Sequence, residues 1–478
     1  MEPERSLTAD DVNQRQLRVR YAVRGPVLQR ALQLERELAQ GVKKPFASVV
    51  RGNLADCHAL GQPPLTFLRQ VVALAALPAL LAAPGFPEDA RRRARRILDS
   101  CAERSVGAYS PAAGLAPVRA DVAAFLSERD GVPADADDVY FGSGASDLIK
   151  TVLAMFVQNV NGKPPAVMIP IPQYPLFSGT LTELGLRQVD CFLDEERDWE
   201  LSREEMERSL REASVDCHVR ALIIINPGNP TGHVLTRENM EEIVRFAYDH
   251  RLFLLADEVY QENIISKPFH SFKKVMHEMG APYSQMELAS FLTVSKGLAA
   301  ECGLRVGLVE LVRASAGAVT AFRNARGLMQ CSSVLGQCAL DCVVRPPAPG
   351  DESYERHVAE RRHILRVMEE RAAAAHRAFS DIPGYSCIPT DGPMFAYPRI
   401  EIPESAQRAA REQGLLPDEL YCLQLLEETG VCATPGSGFG QRAGTFHFRL
   451  TFPFAREPFD AALAAVRRFH LNFLQRYA

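Results

Sequence analysis

The sequence predicts an α/β fold in which a mostly parallel sheet lies between helices, with a smaller α+β domain beside it. Between residues 138 and 312, short apolar runs alternate with amphipathic segments. The apolar runs are nearly continuous, which is typical of strands in a parallel sheet buried on both faces. Beyond residue 345 the pattern changes to one long helical segment followed by mixed helix and alternating strand.

The predicted strands of the large sheet coincide with the short apolar runs. These runs cover 138–141, 166–171, 221–225, 252–256, 291–294 and 307–312. Runs of this length suit strands and are too short for helices. Because helical segments such as 237–249 separate them, we expect β-α-β units with right-handed crossovers.

Helices are predicted where apolar residues recur at helical spacing between start and stop signals. Pro26 opens the first clear helix and Gly41 follows its end, which are the positions that these two residue types favour. The smaller domain also contains predicted strands at 394–397 and 445–452. The predicted helices cover 26–40, 88–105, a segment from 146 onward, 237–249, 352–380 and 417–429.

The chain length indicates more than one domain, because 478 residues exceed what a single hydrophobic core usually organises. We expect an N-terminal arm and part of the small domain in 1–115, and a large cofactor-binding domain in 116–344. The remainder of the small domain is expected in 345–478, which begins with the linker-like stretch RPPAPG.

The composition argues against several classes of protein. The chain carries 54 basic and 59 acidic residues, so its charge gives no reason to expect nucleic acid or an anionic membrane as partner. Its most apolar stretch, 71–83, is too short to span a bilayer. The 11 cysteines form no C-x-x-C pair, and no histidine spacing suggests a metal site. The polar N-terminus lacks an apolar signal segment, so a cytoplasmic enzyme without metal is expected.

The first strand runs into a glycine-rich loop, FGSGASD (141–147). Gly142 and Gly144 allow a tight turn, after which the backbone N–H groups of Ala145 and Ser146 open a helix toward a possible anion. Taken alone, the loop fits a simple helix cap better than an anion site.

Polar residues also follow the two central strands. In INPGNPTG (225–232), Asn226 is expected to project an amide at the strand end, although a turn alone would explain part of the loop. In LLADEVY (254–260), Asp257 ends a strongly apolar strand, where a carboxylate is costly unless it meets a cation or a strong donor. Tyr260 lies close enough to return to the same site; a buried ion pair or helix cap is the alternative.

A lysine follows the next strand, in FLTVSKGLAAECGLRVG (291–307). Most lysines lie at the surface, but Lys296 is surrounded by small residues, with no other charge before Glu301. A lysine amine in such a place is a nucleophile if its pKa is lowered. Thr293 and Arg305 add a hydroxyl and a guanidinium to the same stretch.

Together these groups match the needs of pyridoxal 5′-phosphate (PLP). Its phosphate needs a helix N-terminus and further donors, which the loop 144–146, Thr293 and Arg305 can supply. Its aldehyde needs an amine, for which Lys296 is the candidate. Its pyridinium nitrogen needs a carboxylate, for which Asp257 is the candidate.

Longer motifs resemble the fold-type I PLP-dependent aminotransferases of class I/II, in particular their alanine aminotransferase branch. The resemblance extends over nearly the whole chain. The motifs that carry it include YAVRGPVLQRA (21–31), MIPIPQYPL (168–176), INPGNPTG (225–232), FLLADEVYQ (253–261), LLEETGVC (425–432) and PGSGFGQR (435–442). GSGFG within the last motif also resembles a dinucleotide loop, but no helix pattern follows it, and we interpret it as a loop on the substrate side.

The resemblance implies a role for each matched residue around the cofactor. Lys296 would hold its aldehyde covalently and act as the catalytic residue, and Asp257 would pair with the ring nitrogen. Asn226 and Tyr260 would hold the phenolic oxygen, and Tyr174 would stack on the ring. The residues implied to hold the phosphate are Gly144, Ala145, Ser146, Thr293 and Arg305.

The resemblance also implies substrate contacts and a partner. Arg449 would bind the substrate α-carboxylate through a bidentate fork, with Asn226 and Tyr174 beside it. Tyr109 matches a tyrosine that reaches the phosphate of the neighbouring subunit, which implies a homodimer with shared active sites. The implied reaction moves the amino group of L-alanine to 2-oxoglutarate by a ping-pong sequence through the pyridoxamine form of the cofactor. A related enzyme that prefers glyoxylate as acceptor and a catalytically silent homologue are the alternatives.

The sequence departs from the family pattern at a few positions. Leu292 and Thr293 replace His-Ser ahead of the lysine, although Thr293 keeps a hydroxyl. Ala55 stands where relatives carry glycine, and Pro393 where they carry alanine. YSPAAG (109–114) replaces a YSASQG-like run. The last three departures lie around the substrate, so the preference for amino donors stays open.

Overall fold

The computed structural model describes residues 7–478. The helices are α1 (Gln14–Arg18), α2 (Pro26–Ala39), α3 (Thr66–Ala76), α4 (Glu88–Asp99), α5 (Ala116–Asp130), α6 (Ala145–Ala154), α7 (Pro175–Leu184), α8 (Arg203–Ala213), α9 (Arg237–Asp249), α10 (Phe272–Glu278), α11 (Ala316–Leu328), α12 (Val334–Val344), α13 (Tyr354–Ser380), α14 (Glu404–Glu412), α15 (Pro417–Thr429) and α16 (Arg456–Arg476). The strands are β1 (Val139–Gly142), β2 (Pro165–Ile171), β3 (Arg187–Phe192), β4 (His218–Ile225), β5 (Phe253–Asp257), β6 (Leu288–Thr293), β7 (Gly307–Val312), β8 (Tyr385–Ser386), β9 (Phe395–Ala396), β10 (Arg399–Ile400), β11 (Thr434–Pro435) and β12 (Phe448–Thr451).

The large sheet has seven strands in the order β1-β7-β6-β5-β4-β2-β3. β7 runs antiparallel to both of its neighbours, and the other strands share one direction. The predicted α/β fold with a mostly parallel sheet is therefore confirmed. The carboxyl ends of β1, β4, β5 and β6 meet at one edge, to which the antiparallel β7 contributes its amino end.

The continuous apolar runs are explained by helices on both faces of this sheet. Along β4, Leu222 and Ile224 pack into a core with α9 and α10, whereas Ile223 and Ile225 pack into a core with α6 and α7. Successive residues of a strand point to opposite faces, so a strand covered on both sides must be apolar at every position.

The sequence reading missed β3, which is the edge strand beside β2. Its first two residues, Arg187 and Gln188, and also Asp190 are exposed, whereas Val189 and Cys191 are buried. An edge strand with one solvated face has the alternating composition of many surface segments, so its apolar signal is weak.

A smaller α+β assembly lies outside the large sheet. β9, β11 and β12 form a three-stranded antiparallel sheet, and β8 pairs with β10. Its core contains residues of α2, α13, α15 and α16. Helix α2, near the N-terminus, therefore packs against helices from the C-terminal third of the chain. The domain limits at 115/116 and 344/345 stay a prediction. No helix in the described part of the chain combines the length and apolar character needed to cross a bilayer.

Candidate active site

A cavity of about 610 Å³ opens where the strand ends of the large sheet meet. Most of the residues singled out from the sequence line it, because they lie near strand ends at this edge of the large sheet or, in the case of Arg449, on β12 of the small sheet. The predicted site residues in its lining are Gly144, Ala145, Ser146, Tyr174, Asp257, Tyr260, Thr293, Lys296, Arg305 and Arg449. Asn226 and Tyr109 are not part of the lining.

One end of the cavity is formed by the N-terminus of α6. Gly144 precedes this helix with φ +83° and ψ 165°, and no side chain caps the first backbone N–H groups. A Cβ on Gly144 would lie 2.5 Å from Nη2 of Arg305, and one on Gly307 would lie 2.4 Å from the backbone nitrogen of Ala145. The two glycines therefore allow a guanidinium and a helix N-terminus to converge, which is a suitable arrangement for an anion.

The guanidinium of Arg305 is held in place by backbone carbonyls. Nη2 donates to the Ser143 oxygen and Nη1 to the Cys302 oxygen, each at 3.0 Å. Nη1 also lies 3.4 Å from the hydroxyl of Ser295, a residue of the cavity lining that the sequence analysis did not select. Its position next to Lys296, in the turn that follows β6, was the available signal.

The hydroxyl of Thr293 is bonded to nearby backbone groups, although the residue also lines the cavity. Its hydroxyl donates to the Val306 oxygen at 2.7 Å and accepts from the Ser295 N–H at 3.2 Å. The hydroxyl proton is therefore already used in a hydrogen bond within the protein. Thr293 consequently fixes the turn that leads to Lys296 and offers the cavity only its remaining lone pair.

Lys296 and Asp257 both line the cavity. Nζ of Lys296 donates to the Ala55 oxygen at 2.7 Å and lies 5.8 Å from the centre of the Tyr260 ring. Burial raises the pKa of Asp257 to about 7, while the Val259 N–H and Lys296 act in the opposite direction. Its carboxylate forms no ion pair within 4.0 Å among residues 7–478, so a buried acid here faces a cavity without a close cation.

A nucleophilic lysine requires a lowered pKa, but the pKa of Lys296 in the structure is raised. Burial lowers the pKa of the amine, but Tyr260, Cys302 and Cys57 raise it, and the net shift is upward. The lowering that would make a free lysine nucleophilic is therefore not found.

The structure corrects the choice of asparagine. The side chain of Asn226 is fully buried, and its oxygen accepts from the Leu235 N–H at 3.0 Å. Asn229 is the asparagine that reaches the cavity: its oxygen accepts from Nη1 of Arg449 at 2.8 Å, and its Nδ2 lies 3.5 Å from the Tyr260 hydroxyl. The two residues carry the same local signal, an Asn-Pro step, so only the fold distinguishes them.

Arg449 lies on β12 of the small sheet and lines the same cavity. Its Nη2 donates to the Asn53 carbonyl at 2.6 Å, and its guanidinium carbon lies 4.9 Å from the Phe439 ring and 5.2 Å from the Phe395 ring. The side chain is 1% exposed, its Nε has no partner, and burial lowers its pKa. No carboxylate of the described residues forms an ion pair with it, and a buried cation of this kind calls for an anionic ligand.

Tyr21 and Tyr174 line the cavity, whereas Tyr109 does not. The hydroxyl groups of Tyr174 and Tyr21 are hydrogen-bonded at 2.6 Å, so the N-terminal arm forms part of the cavity wall. The sequence analysis did not select Tyr21, although it opens the motif YAVRG. Tyr109 is 78% exposed and does not line the cavity of its own chain.

The residues present fit PLP. The uncapped helix N-terminus beside Arg305 suits a phosphate, and the buried carboxylate of Asp257 suits a ring cation. Between them Lys296 supplies the amine, and Asn229 with Tyr260 supplies polar groups at the ring. A mostly parallel α/β fold with this donor set is typical of a PLP-dependent enzyme.

The chain belongs to the family of class I and II aminotransferases, whose model, "Aminotransferase class I and II", matches residues 81–466. "Alanine aminotransferase 1" of Homo sapiens is 51% identical over 476 residues, which cover 99% of this chain and 96% of the relative. The protein of the same name from Bos taurus is 50% identical over 479 residues, with coverage of 99% and 97%. The solved structure of alanine aminotransferase from Pyrococcus furiosus has a TM-score of 0.75 at 20% identity, covers 96% of this chain and 99% of its own, and supports the fold alone.

Proposed function

We propose that this enzyme transfers the amino group of L-alanine to 2-oxoglutarate and releases pyruvate and L-glutamate. The observation that carries the proposal is Arg449, a buried guanidinium without an anionic partner that lines the same cavity as Lys296. A substrate with an α-carboxylate satisfies this cation and brings its amino group toward the lysine. Relatives that carry the name alanine aminotransferase are about half identical over nearly the whole chain, which supports the choice of L-alanine.

In this proposal the residues of the cavity divide into those that hold the cofactor and those that move a proton. The backbone N–H groups of Ala145 and Ser146, with Arg305, hold the phosphate. Asp257 keeps the ring nitrogen protonated, and Asn229 with Tyr260 bonds the phenolic oxygen. When bound, the cofactor supplies an electron-accepting ring that stabilises negative charge at the substrate α-carbon.

Lys296 acts as the base and then the acid of each half-reaction. In the half-reaction that consumes the amino acid, its amine would take the proton from the substrate α-carbon and return it to the bound cofactor. In the half-reaction that consumes the 2-oxo acid, it would move a proton in the opposite direction, to the α-carbon. Arg449 would fix the carboxylate during this exchange, and Tyr174, whose hydroxyl is bonded to that of Tyr21 in the N-terminal arm, would stack on the ring. The carbonyl of Ala55, 2.7 Å from Nζ, holds the amine within the cavity.

We further propose a cytoplasmic homodimer with shared active sites. Tyr109 supports the dimer, because its ring is 78% exposed and lies outside the cavity of its own chain. A partner subunit would receive this tyrosine at the phosphate. The 11 cysteines, all free, support a reducing compartment.

The purified enzyme with PLP tests the reaction directly. We expect L-alanine to bleach the absorbance of the bound cofactor and 2-oxoglutarate to restore it, with pyruvate released in the first step. Lys296→Ala should abolish both changes, whereas Lys43→Ala, which alters an exposed lysine, should leave them intact. Full turnover by Lys296→Ala contradicts the assignment of the base, and a stronger response to glyoxylate than to 2-oxoglutarate contradicts the proposed acceptor.

A further inference from the structure

A buried asparagine outside the cavity lining bonds the backbone next to Lys296. The side chain of Asn263 is fully buried and does not line the cavity. Its Oδ1 accepts from the Gly297 N–H at 3.0 Å, and its Nδ2 donates to the Gly297 carbonyl at 3.1 Å. One side chain therefore satisfies both backbone groups of the residue that follows the lysine.

The first of these bonds acts on the peptide that joins Lys296 to Gly297. β6 ends at Thr293, so no strand pairing holds this peptide. Its N–H donates to Asn263, and its carbonyl, that of Lys296, accepts from the Ala300 N–H at 3.2 Å. Because a peptide is planar, bonds at both of its polar groups fix the direction in which the lysine side chain leaves the backbone.

Asn263 is held in turn by helix α13 and by the loop that carries Tyr260. Its Nδ2 lies 3.7 Å from Sδ of Met368 in α13, and its backbone N–H donates to the Tyr260 carbonyl at 2.8 Å. The preceding residue, Glu262, accepts from Nη1 of Arg361, also in α13, at 2.9 Å. The support for the lysine turn therefore comes from a helix that is distant in sequence.

The proposed reaction makes a strict demand on the position of the amine. Lys296 has to reach two different carbon atoms, one on the substrate and one on the cofactor, and its stem is flexible. The bond from Nζ to the Ala55 carbonyl constrains only the free end of the side chain. A displacement of about 1 Å in a reacting group can cost about 10²-fold in rate, so the backbone end of the side chain must also be fixed.

We propose that Asn263 is a positioning residue for Lys296. By bonding both backbone groups of Gly297, it fixes the backbone end of the lysine side chain and so the path of the amine between substrate and cofactor. This inference rests on the proposed function, since it assumes that Lys296 moves the proton.

The first test measures binding of two forms of the cofactor to the apoenzyme, without turnover. Asn263→Asp keeps the size of the side chain but loses the Nδ2 donor. PLP bonds the lysine covalently, whereas pyridoxamine 5′-phosphate, which has no aldehyde, cannot. We expect the Kd of PLP to rise about 10-fold and the Kd of pyridoxamine 5′-phosphate to stay within about 3-fold of the native value.

The second test measures the proton transfer in the half-reaction with L-alanine. We expect Asn263→Asp to lower kcat about 10- to 100-fold while KM stays within about 3-fold of the native value. L-Alanine deuterated at the α-carbon should then show a larger isotope effect on kcat than in the native enzyme, because proton transfer becomes the slower step.

Asn239 provides a matched control. It is 5% exposed, it lies outside the cavity lining, and it bonds both backbone groups of one residue in the same way. Its Oδ1 accepts from the Leu201 N–H at 3.2 Å, and its Nδ2 donates to the Leu201 carbonyl at 2.8 Å. Asn239→Asp should lower the midpoint of urea unfolding as Asn263→Asp does, but leave cofactor binding and the isotope effect unchanged.

Gly297→Ala displaces the same peptide by another route, since Gly297 has φ +65° and an added Cβ would lie 2.4 Å from Oε2 of Glu262. It should give the same difference between the two cofactor forms. Equal weakening of both forms, or the same kinetic pattern in Asn239→Asp, would show a general loss of stability, and unchanged binding with an unchanged isotope effect would show no role; each result overturns the inference. If L-alanine fails as a substrate of the native enzyme, the proposed function fails, while the two cofactor forms still decide the role of Asn263.

Discussion

Replacing Gly144 by alanine should weaken cofactor binding as well as the fold. Gly144 has φ +83° and ψ 165°, a conformation that is open almost only to glycine. The added Cβ would lie 2.5 Å from Nη2 of Arg305. Because that contact is with the end of a flexible side chain, Arg305 is expected to move away and lose its bond to the Ser143 carbonyl.

The expected magnitude has two parts. Strain in the backbone costs about 1–3 kcal/mol of the free energy of unfolding. Loss of one charge-assisted hydrogen bond to a phosphate costs about 1.5–3 kcal/mol, which raises the Kd of PLP roughly 10- to 150-fold.

The assay titrates the apoenzyme with PLP by absorbance and measures its unfolding by urea in parallel. Gly131→Ala is the matched control, since Gly131 has φ +68° at the end of α5 and nothing within 4 Å of a Cβ added there. We expect it to lose about 1–2 kcal/mol of stability without any change in the Kd of PLP. The reasoning is refuted if Gly144→Ala binds PLP as the native enzyme does, or if the two variants weaken binding equally.

Three further predictions address the carboxylate, the asparagine and the dimer. Burial raises the pKa of Asp257 and of Glu258 to about 7, so the folded apoenzyme holds these protons more tightly than the unfolded chain. The stability that these two carboxyls contribute should therefore fall as the pH rises from about 4 to about 7, and the difference in unfolding free energy between the native apoenzyme and Asp257→Asn, measured by urea unfolding, should fall over the same range; a difference that does not change with pH contradicts the burial argument. Asn229→Ala should raise KM for every substrate about 10-fold, whereas Asn226→Ala should cost about 1–3 kcal/mol of stability with little change in KM, and the reverse pattern in steady-state kinetics would contradict the structural assignment. Sedimentation should show a dimer, and Tyr109→Phe should raise the Kd of PLP; a monomer that binds PLP fully would exclude a shared site.

The strands of the large sheet were predictable from the sequence because burial on both faces imposes a simple pattern. β4 and β5 are apolar at nearly every position, since their successive side chains enter two different cores. β3 was missed because one of its faces is solvated. Helix ends were predictable where the termini carry proline or glycine, as at Pro26 and Gly41.

Most of the candidate site was also predictable, because its residues interrupt otherwise apolar strand ends. Lys296 and Asp257 were recognisable by chemistry that is costly in such places. Ser295 and Tyr21 carried weaker signals, since a serine in a turn and a tyrosine in an arm occur in many contexts. Their importance comes from a contact of Ser295 with Arg305, ten residues further along the chain, and from a contact of Tyr21 with Tyr174, 153 residues away.

The sequence by itself determined the fold class, the cofactor and the aminotransferase family of this protein, since these depend on residue types at strand ends and on long motifs. The tertiary structure decided which of two equivalent asparagines faces the cavity, because the oxygen of Asn226 is taken by the Leu235 N–H. It also decided that Asn263 holds the peptide beside Lys296, because the folded chain brings its side chain to Gly297, 34 residues further on. Such choices follow from long-range contacts, which no local pattern of residues encodes.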